Sequence, residues 1–382
     1  MLLLILTSGA AFTVCWFIGA VLYLRYGLHS LPAAGSPHDN RFSVIIAARN
    51  EEHTIGACLD SVFSQTIAPD RFEVIVVNDR STDDTIKVIN CYQQRFPQLK
   101  SITIETTPAG LSPKKHAVSR GVAIAVHEII VFTDADCRVP ASWLDTIDRH
   151  FSPEVGLVQG ITAYQYISGM NRLFFDLQSV DFLSHGIVAA AGIGAGIPIN
   201  SNANNFAFRQ AAFDDAGGMT TDIGHVVSGD DDLLLQKIWK RKQWKIVFMS
   251  DRSGAVSTMP TATFRALFQQ RARWGSKTVH YNRIQVALLS GIFLFYMATA
   301  VTCILSCFNW SLLPAAAVLL LLKLAGECLL MVPGLHRFGY IRYISLLPLA
   351  SILQLPLVIT AVLIGIFGRF NWKGQSFSRT IK

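Results

Sequence analysis

The sequence predicts an α/β domain with a mixed, mostly parallel sheet that is inserted between transmembrane helices. Short β-rich runs alternate with helical stretches between residues 42 and 151, which is typical of βαβ units and a parallel sheet. Apolar stretches of membrane length stand on both sides of this region. Of the 382 residues, 51% are hydrophobic and only 15% are charged. This composition is too apolar for a soluble enzyme of this size.

The elements of the central domain follow from its hydrophobic pattern. We expect strands at residues 42–47, 72–78, 101–105 and 128–133, and helices near residues 52–64, 82–96 and 113–126. The nearly continuous apolar run from Val74 to Val77 indicates a strand that is buried on both faces. We place the whole domain at residues 40–257, of which residues 152–257 have a less regular pattern.

One apolar segment inside the domain has two interpretations. Residues 187–199 are rich in glycine and too short to span a membrane. Because Gly192, Gly194 and Gly196 give the backbone freedom, the segment fits a mobile loop beside an acceptor site. A closely packed segment suits glycine equally well, and both interpretations stay open.

The N-terminal apolar run, residues 1–24, predicts an uncleaved transmembrane anchor over residues 1–27. A signal peptide is the alternative, and residues 33–35 resemble a cleavage site. However, no Lys or Arg precedes the run, whereas signal peptides begin with a basic region. The anchor is therefore the favoured interpretation.

The C-terminal region, residues 284–368, contains three apolar stretches of about the 20 residues that a membrane-spanning helix needs. They lie near residues 285–307, 311–333 and 343–368. Three crossings would put the basic tail, residues 369–382, outside, against the usual preference for positive charge inside. Either one stretch does not cross or the rule fails here, and the question stays open. If one stretch does not cross, Pro348 and Pro356 make the last one the candidate for a broken or re-entrant segment.

One pair of opposite charges falls inside the predicted spans. Lys323 and Glu327 lie four residues apart, so they share a helix face and are expected to pair. A neutralised packing contact is the favoured interpretation, and a role in transport is the alternative.

Basic residues near the span ends predict the orientation of the protein. They flank the central domain, which we therefore expect in the cytoplasm of a bacterial cell, with the spans in the inner membrane. These residues are Arg25, Arg41, Arg271, Arg273, Lys277 and Arg283. They account for much of the net charge of +7, and we expect them to face membrane lipids rather than nucleic acid, since no zinc-finger or RNA-recognition pattern is present. The seven cysteines show no CxxC spacing.

Two carboxylates directly after a predicted strand suggest a metal site. Asp134 and Asp136 flank one alanine, so they point to the same side of an extended segment. Mg²⁺ and Mn²⁺ prefer one or two carboxylates together with substrate oxygens, and such a cation can bridge the phosphates of a diphosphate. A lone Asp-x-Asp is common by chance, but the buried strand before it makes this one more specific.

Other polar side chains follow the first two predicted strands. Arg49 and Glu51 come after the first strand and Asp79 after the second, at positions that suit contacts with a base or ribose. A cap or turn role for the polar residues 81–83 is the structural alternative. Lys114, with Lys115, precedes a helix and is able to approach phosphates, although a solvated helix start explains either lysine nearly as well.

Two further motifs lie nearer the C-terminus. A predicted helix begins with Asp230, Asp231 and Asp232, and the structural interpretation is that these carboxylates complement the helix dipole. Placing three like charges side by side is unfavourable, which suggests that at least one of them serves as a base. Gln270, Arg273 and Trp274 fall on about one turn of an amphipathic interfacial helix within residues 258–283. The arginine suits a diphosphate and the indole a sugar ring, while a membrane-interface Arg/Trp pair is the alternative.

Together these motifs resemble the membrane-embedded branch of the family-2 inverting glycosyltransferases, which have the GT-A fold of nucleotide-diphosphosugar transferases. That branch includes polysaccharide synthases and ceramide glucosyltransferase. The resemblance covers about residues 42–275. The matching positions are Arg49, Glu51, Asp79, Lys114, Asp134, Asp136, Asp230, Asp231, Gln270, Arg273 and Trp274. Pro113 replaces the glycine that usually precedes the lysine, and residues 372–374 are similar to a tail element of some members.

The resemblance implies a mechanism and a set of ligands. Asp231, with Asp230 in the neighbouring acidic position, implies a base that deprotonates the acceptor hydroxyl, and Asp134 and Asp136 imply the metal ligands. The implied donor is a nucleotide-sugar, usually a UDP-sugar, and the implied acceptor is a lipid or a growing glycan. A processive polysaccharide synthase is the alternative function. These residues indicate neither the identity of the sugar nor the oligomeric state.

Two other classes fit less well. A non-catalytic membrane scaffold would be expected to lose Asp136, the base or Arg273, and all of them are present. A Rossmann dehydrogenase is excluded because no G-x-G-x-x-G follows the first strand.

Overall fold

The protein is described here from a computed structural model, which describes residues 2–226, 229–368, 370–372 and 375–377. It forms two compact units that are taken in turn. The helical unit contains Met1–Ser30, Asn171–Ile199 and Thr261–Ser376. The sheet unit contains Leu31–Met170, Asn200–Pro260 and Phe377–Lys382. The charged tail residues Arg369, Lys373, Arg379 and Lys382 lie outside the described residues.

The helices and strands are numbered in chain order. The helices are α1 (Leu2–His29), α2 (Ile55–Phe63), α3 (Thr85–Arg95), α4 (Pro113–Ile124), α5 (Trp143–Asp148), α6 (Arg172–Gly194), α7 (Gln210–Asp215), α8 (Asp230–Arg241), α9 (Phe264–Ser276), α10 (Arg283–Ser306), α11 (Leu313–Arg337) and α12 (Leu347–Phe367). The strands are β1 (Phe42–Ala48), β2 (Phe72–Asp79), β3 (Leu99–Ile104), β4 (Ile129–Asp134), β5 (Val155–Gly160), β6 (Thr162–Tyr164), β7 (Phe206–Arg209), β8 (Lys245–Met249), β9 (Val256–Thr258), β10 (Phe370–Trp372) and β11 (Gln375–Phe377).

Among the residues that the structure describes, four helical segments of the helical unit are long and apolar enough to cross a membrane. They are Ala11–His29, Arg283–Ser306, Trp310–Arg337 and Ile341–Phe367. Of the alternatives left open for the last stretch, a break does not occur, because α12 continues through Pro356. Pro348 lies in the first turn of α12, where a missing N–H costs no helical hydrogen bond, and Pro356 removes only one bond of the ladder.

The apolar segment at residues 187–199 is packed rather than a mobile loop over most of its length. Its first part is the end of α6, a helix of 23 residues. A side chain at Gly192 would meet the Ile197 carbonyl oxygen at 2.8 Å, so only glycine fits there. Because Asn171–Ile199 belongs to the helical unit, the segment predicted as one domain at residues 40–257 is divided between the two units.

Glycines also bring α9 and α12 into close contact. A Cβ atom at Gly365 would lie 2.5 Å from the Ala272 carbonyl oxygen, and one at Gly275 would lie 3.0 Å from that of Ala361. Small residues that let helix backbones approach are typical of membrane helix packing. One face of the predicted interfacial helix is therefore covered by α12.

The charged pair inside the helical unit forms as expected. The Lys323 ammonium contacts the Glu327 carboxylate and donates to the Ser351 carbonyl oxygen at 2.7 Å. The Tyr296 hydroxyl donates to Glu327 at 2.5 Å. Because each charge has partners on neighbouring helices, the pair links α10, α11 and α12 through a polar cluster.

The sheet unit contains a seven-stranded mixed sheet in the order β3-β2-β1-β4-β7-β5-β8. β1 pairs in parallel with both β2 and β4, and only β7 runs against its neighbours. This arrangement confirms the predicted mixed, mostly parallel sheet. The strand order reverses between β1 and β4, which is where open α/β sheets bind ligands.

Alternate residues of the central strands enter separate cores on the two faces of the sheet. Val74 and Val76 pack in one buried cluster, while Ile75 and Val77 pack in another. Both faces of β2 are therefore covered, as the continuous apolar run predicted. β3 begins at Leu99, two residues before the predicted start.

A buried asparagine connects three segments beneath the sheet. The Asn205 side chain is 1% exposed. Its oxygen accepts from the Trp143 indole N–H at 2.9 Å, and its amide nitrogen donates to the carbonyl oxygens of Ile161 and Gly254 at 2.9 and 2.8 Å. Each of these groups is buried, so removing their partner leaves them unsatisfied.

We predict that Asn205→Ala lowers the apparent melting temperature of the detergent-solubilised protein by roughly 6–12 °C. The change removes three hydrogen bonds at a cost of about 3 kcal/mol, and about 1 kcal/mol shifts a domain of this size by about 2–4 °C. Asn90→Ala, at an exposed position on α3, is the matched control. Equal melting temperatures for the two variants would contradict the structural role of Asn205.

Candidate functional site

The candidate site is built at the carboxyl ends of three parallel strands. Arg49 and Glu51 follow β1, Asp79 ends β2, and Asp134 ends β4 with Asp136 two residues later. Because β1 lies between β2 and β4, these residues share one edge of the sheet. The sequence predicted each of these positions from its place after an apolar run.

Hydrogen bonds connect the loops that follow β1 and β2. The Asn50 N–H donates to the Ser81 hydroxyl oxygen at 3.0 Å, and the Asn50 side-chain oxygen accepts from the Thr82 N–H at 2.9 Å. The Glu51 N–H donates to the Thr85 hydroxyl oxygen at 2.8 Å. The two loops therefore hold each other in a fixed arrangement at the sheet edge.

Two carboxylates at the turn after β2 have different roles: Asp83 stabilises the turn, and Asp79 belongs to the candidate site. Asp83 accepts from the Thr85 N–H at 3.1 Å and from the Glu52 N–H at 3.2 Å, so it fills the turn role that the sequence left open. Asp79 instead accepts from the Arg80 guanidinium at 2.8 and 3.2 Å. This bidentate contact fixes the orientation of the Asp79 carboxylate.

Lys114 connects two acidic motifs that are far apart in the sequence. Its ammonium lies 2.9 Å from an oxygen of Asp134 and 3.3 Å from one of Asp230. Burial opposes the charged ammonium, but Asp134 and Asp230 outweigh burial and raise the pKa of Lys114. Burial also opposes the charge of Asp230, whose pKa is nevertheless lowered by Lys114 and Lys115. Lys114 therefore stabilises the charged forms of both Asp134 and Asp230, which repel each other.

Lys115 does not face the same acids at contact distance. Its side chain is 1% exposed, and its ammonium donates to the carbonyl oxygens of Ile223 and Val226, each at 2.8 Å. The two neighbouring lysines therefore have different roles: Lys114 lies among the carboxylates, and Lys115 anchors the loop that leads toward α8.

Asp136 lies in a crowded acidic environment. Burial, then the charges of Asp134 and Glu51, raise its pKa from 3.8 to about 6, although the Thr258 hydroxyl donates to it at 3.3 Å. Like charges held together in this way are relieved by a divalent cation. Asp134 and Asp136 therefore fit Mg²⁺ or Mn²⁺ that takes its remaining ligands from water and phosphate. Among the described residues, no group of three or more His, Cys, Asp or Glu side chains is arranged to hold a metal ion.

The three aspartates at the start of α8 have three different environments. Asp230 faces Lys114, as described above. Asp231 accepts from the N–H groups of Ala203 and Asp232 at 2.8 and 2.7 Å. Asp232 is fully buried and accepts from the Ser201 N–H. Gly229 precedes them with φ +79°, a left-handed conformation that glycine adopts without strain, and this turn starts the helix.

The aromatic motif on α9 is organised by an arginine that the sequence reasoning did not select. The buried Arg271 guanidinium donates to Asp181 on α6 at 2.6 Å and to the Gln270 side-chain oxygen at 2.5 Å. It also stacks over the Trp274 ring, 4.2 Å from the ring centroid. Nothing in the sequence pattern links Asp181 to a motif that lies 90 residues away.

The sequence-predicted residues thus fall into two groups. Lys114, Asp134, Asp136, Asp230 and Asp231 lie in the sheet unit, together with Arg49, Glu51 and Asp79 at the neighbouring strand ends. Gln270, Arg273 and Trp274 lie on α9 of the helical unit. The sequence pattern did not indicate Asp181, and it placed Arg271 among the residues that face membrane lipids, whereas the structure shows Arg271 bonded to Asp181 and Gln270.

Comparison with known proteins identifies the class of the fold. A mannosyltransferase from Pyrobaculum calidifontis, PcManGT, solved with GDP-Man and Mn²⁺, superposes with a TM-score of 0.56 at 20% identity. The match covers 91% of this chain and 99% of that one. The fold is therefore a GT-A-like glycosyltransferase fold, as the motifs implied.

Curated relatives are also glycosyltransferases. The chain is 28% identical over 235 residues to the β-monoglucosyldiacylglycerol synthase of Synechocystis sp., covering 60% of this chain and 46% of that enzyme. It is 34% identical over 125 residues to the 4,4'-diaponeurosporenoate glycosyltransferase of Staphylococcus aureus, covering 32% and 31% of the two chains. The matches thus span less than half the length of these relatives.

The family assignment rests on nearly the whole chain. The profile of glycosyl transferase family 21 matches residues 14–380. Taken with the curated relatives and the GT-A-like fold, this match identifies a family-2-like glycosyltransferase, in agreement with the resemblance seen in the motifs. The chain belongs to glycosyl transferase family 21.

Proposed function

We propose that the protein is a membrane-bound, inverting glycosyltransferase that moves a sugar from a nucleotide-sugar, of which a UDP-sugar is the usual kind in the family, to a lipid acceptor. The observation that carries the proposal is the group of Asp134, Asp136, Asp230 and Lys114 at the point where the strand order reverses. The names of two relatives, a glucosyldiacylglycerol synthase and a diaponeurosporenoate glycosyltransferase, support a lipid acceptor.

The donor would bind by its nucleotide and its diphosphate. Arg49, Glu51 and Asp79 lie at the strand ends next to the carboxylates, so they are proposed to contact the base and ribose. Asp134 and Asp136 would hold Mg²⁺ or Mn²⁺, which supplies positive charge to the leaving diphosphate. Lys114 adds a fixed positive charge beside the same carboxylates. The family resemblance implies contacts with the diphosphate and the sugar, and we propose that these are made by Gln270, Arg273 and Trp274.

Asp231 is the proposed general base. Asp230 pairs with Lys114, which also contacts Asp134, so Asp230 belongs with the groups that hold the donor. Asp232 is fully buried against the backbone of Ser201 and is therefore out of reach of an acceptor. In a single displacement the base removes the proton of the acceptor hydroxyl while that oxygen attacks the anomeric carbon opposite the diphosphate. This geometry inverts the configuration.

The protein is proposed to lie in the bacterial inner membrane with the sheet unit in the cytoplasm. The support is the set of basic residues near the span ends. One of these, Arg271, is engaged internally by Asp181, so it contributes less to this argument than its sequence position suggests.

The test of the proposed function is the product. Purified protein in nanodiscs is incubated with Mn²⁺ and each of several radiolabelled UDP-sugars, and the lipid extract is analysed by mass spectrometry and by size. We expect a lipid carrying one sugar. A ladder of polymer would favour the alternative, a processive polysaccharide synthase, whose members share the Gln270–Trp274 motif.

We predict that Asp231→Asn lowers kcat by at least about a hundredfold while UDP affinity in Mn²⁺ stays within about twofold of wild type. The substitution removes the base but leaves the donor carboxylates unchanged. Asp230→Asn is the matched comparison, and we expect it to weaken UDP affinity because it disturbs Lys114. Calorimetry and initial rates measure the two effects. If the two variants exchange these results, the base is Asp230.

We predict that Asp136→Asn abolishes transfer and yet raises the melting temperature in EDTA at pH 7.5. The difference between a pKa of about 6 and 3.8 corresponds to about 3 kcal/mol of unfavourable charge burial at that pH. Because the folded state binds this proton more tightly than the unfolded state, the penalty is absent below about pH 4 and complete above about pH 6.

The melting advantage of Asp136→Asn over wild type should therefore shrink as the pH is lowered from 7.5 to 4.5. Added Mn²⁺ should raise the melting temperature of wild type and not that of the variant. Asp214→Asn, at an exposed position on α7, is the control. A pH-independent difference between Asp136→Asn and wild type would contradict the buried charge.

We predict that Asp181→Asn weakens UDP-sugar affinity by at least about tenfold, because Arg271 then no longer holds Gln270 and Trp274 in place. Asp181→Glu keeps the charge and should recover most of the affinity. Arg265→Gln, at an exposed position on the same helix, is the control. If Asp181→Asn and Arg265→Gln bind the donor equally well, Asp181 and Arg271 are structural only.

A further inference from the structure

A groove between α1 and α11 lies within the helical unit, and none of the motifs above uses it. Its volume is about 810 Å³. Its lining residues are Arg25, Leu28, His29, Ala325, Cys328, Leu329, Val332, Pro333, His336 and Arg337. Six of these ten are apolar or weakly polar, and the other four are basic.

The basic and the apolar lining residues lie at different positions along the helices. His29 is the last residue of α1, and His336 and Arg337 are the last residues of α11, so both helices end at the groove. Ala325 and Leu329 lie two to three turns earlier on α11, inside a segment long and apolar enough to cross a membrane. The groove therefore has a basic end at the helix termini and an apolar wall that extends along the helices.

The arginines are held in place by the partner helix. Arg25 on α1 donates to the Leu329 carbonyl oxygen on α11 at 2.5 Å, and Arg337 on α11 donates to the Leu28 carbonyl oxygen on α1 at 3.3 Å. These reciprocal contacts hold each guanidinium group against the partner helix. A guanidinium has five N–H donors in a planar fork that matches a phosphate group.

No Asp or Glu is among the lining residues that the structure describes. The acidic residues of the helical unit form ion pairs elsewhere: Asp176 with Arg172, Asp181 with Arg271, and Glu327 with Lys323. The lining thus contributes two arginines and no carboxylate among the described residues, and it suits an anion. Basic pockets between transmembrane helices are sites at which anionic lipid headgroups bind.

We propose that this groove binds an anionic phospholipid, with the phosphate at Arg25 and Arg337 and an acyl chain along Ala325 and Leu329. A free phosphate would use the basic end alone, whereas the continuous apolar wall matches a chain that is attached to the phosphate. The proposal rests on α1 and α11 lying in a membrane, and it is independent of which sugar the enzyme transfers. The lipid acts as a ligand that connects two helices, separate from the acceptor of the reaction.

The test is native mass spectrometry of the full chain in detergent, titrated with phosphatidylglycerol or with phosphatidylcholine. These lipids have matched acyl chains and differ in headgroup charge. We expect wild type to bind phosphatidylglycerol at least about tenfold more tightly. Arg25→Gln/Arg337→Gln should lose this preference, since each arginine near a phosphate contributes about fivefold. Arg283→Gln removes an exposed basic residue at the start of α10 and should leave the preference unchanged.

A second variant tests the groove without changing its charge. Ala325→Trp fills the apolar wall and should weaken phosphatidylglycerol binding by at least about tenfold while the arginines remain. Inorganic phosphate at millimolar concentration should not displace the lipid. Equal binding of the two lipids by wild type, equal loss in Arg283→Gln, unchanged binding in Ala325→Trp, or displacement by inorganic phosphate would each overturn the proposal. Sugar transfer, measured separately, tests the proposed function and not this site.

Discussion

The contact of one lysine with two aspartates is the interaction on which the candidate site depends. Lys114 touches Asp134 at the end of β4 and Asp230 at the start of α8, and so joins two segments separated by almost a hundred residues. A single ammonium does not balance the carboxylates around it. The pKa of Asp136 is raised to about 6 by burial and by Asp134 and Glu51. This excess of negative charge favours a divalent cation, which we propose would offset the charge of a bound diphosphate.

The fold makes this crowding possible. Parallel pairing of β1 with β2 and β4 brings three strand ends to one edge, and hydrogen bonds between the loops after β1 and β2 hold that edge in place. Crowding these carboxylates lowers the free energy of unfolding, and burial of the two almost entirely apolar cores on the faces of the sheet offsets this loss. Stability thus resides in the strand interiors and chemistry at their ends, as in other open α/β sheets.

Much of this was predictable because it follows from local pattern. The strands β1, β2 and β4 were located within about one residue, since continuous apolar runs leave little choice. Asp134, Asp136 and Asp79 followed directly from those strands. The prolines left open whether the last apolar stretch is continuous. The structure shows an unbroken α12, since a long apolar helix tolerates the loss of one hydrogen bond. The contact between Asp181 and Arg271 could not be predicted from the sequence. The sequence pattern places α6 in the irregular part of the central domain, whereas the structure places it in the helical unit together with α9.

The helical unit combines apolar surfaces with a small number of engaged charges. Lys323 and Glu327 are satisfied within it, Arg271 is held by Asp181, and Arg25 and Arg337 each donate to a carbonyl oxygen of the partner helix. In the sheet unit, we propose that the acidic cluster around Asp134 and Asp136 binds a nucleotide diphosphate together with a divalent cation. Calorimetric titration of UDP into the purified wild-type protein, once with Mn²⁺ and once with EDTA, tests it most directly. We expect at least about tenfold tighter binding of UDP with Mn²⁺ than with EDTA. Equal affinity under both conditions, or no binding under either, would contradict it.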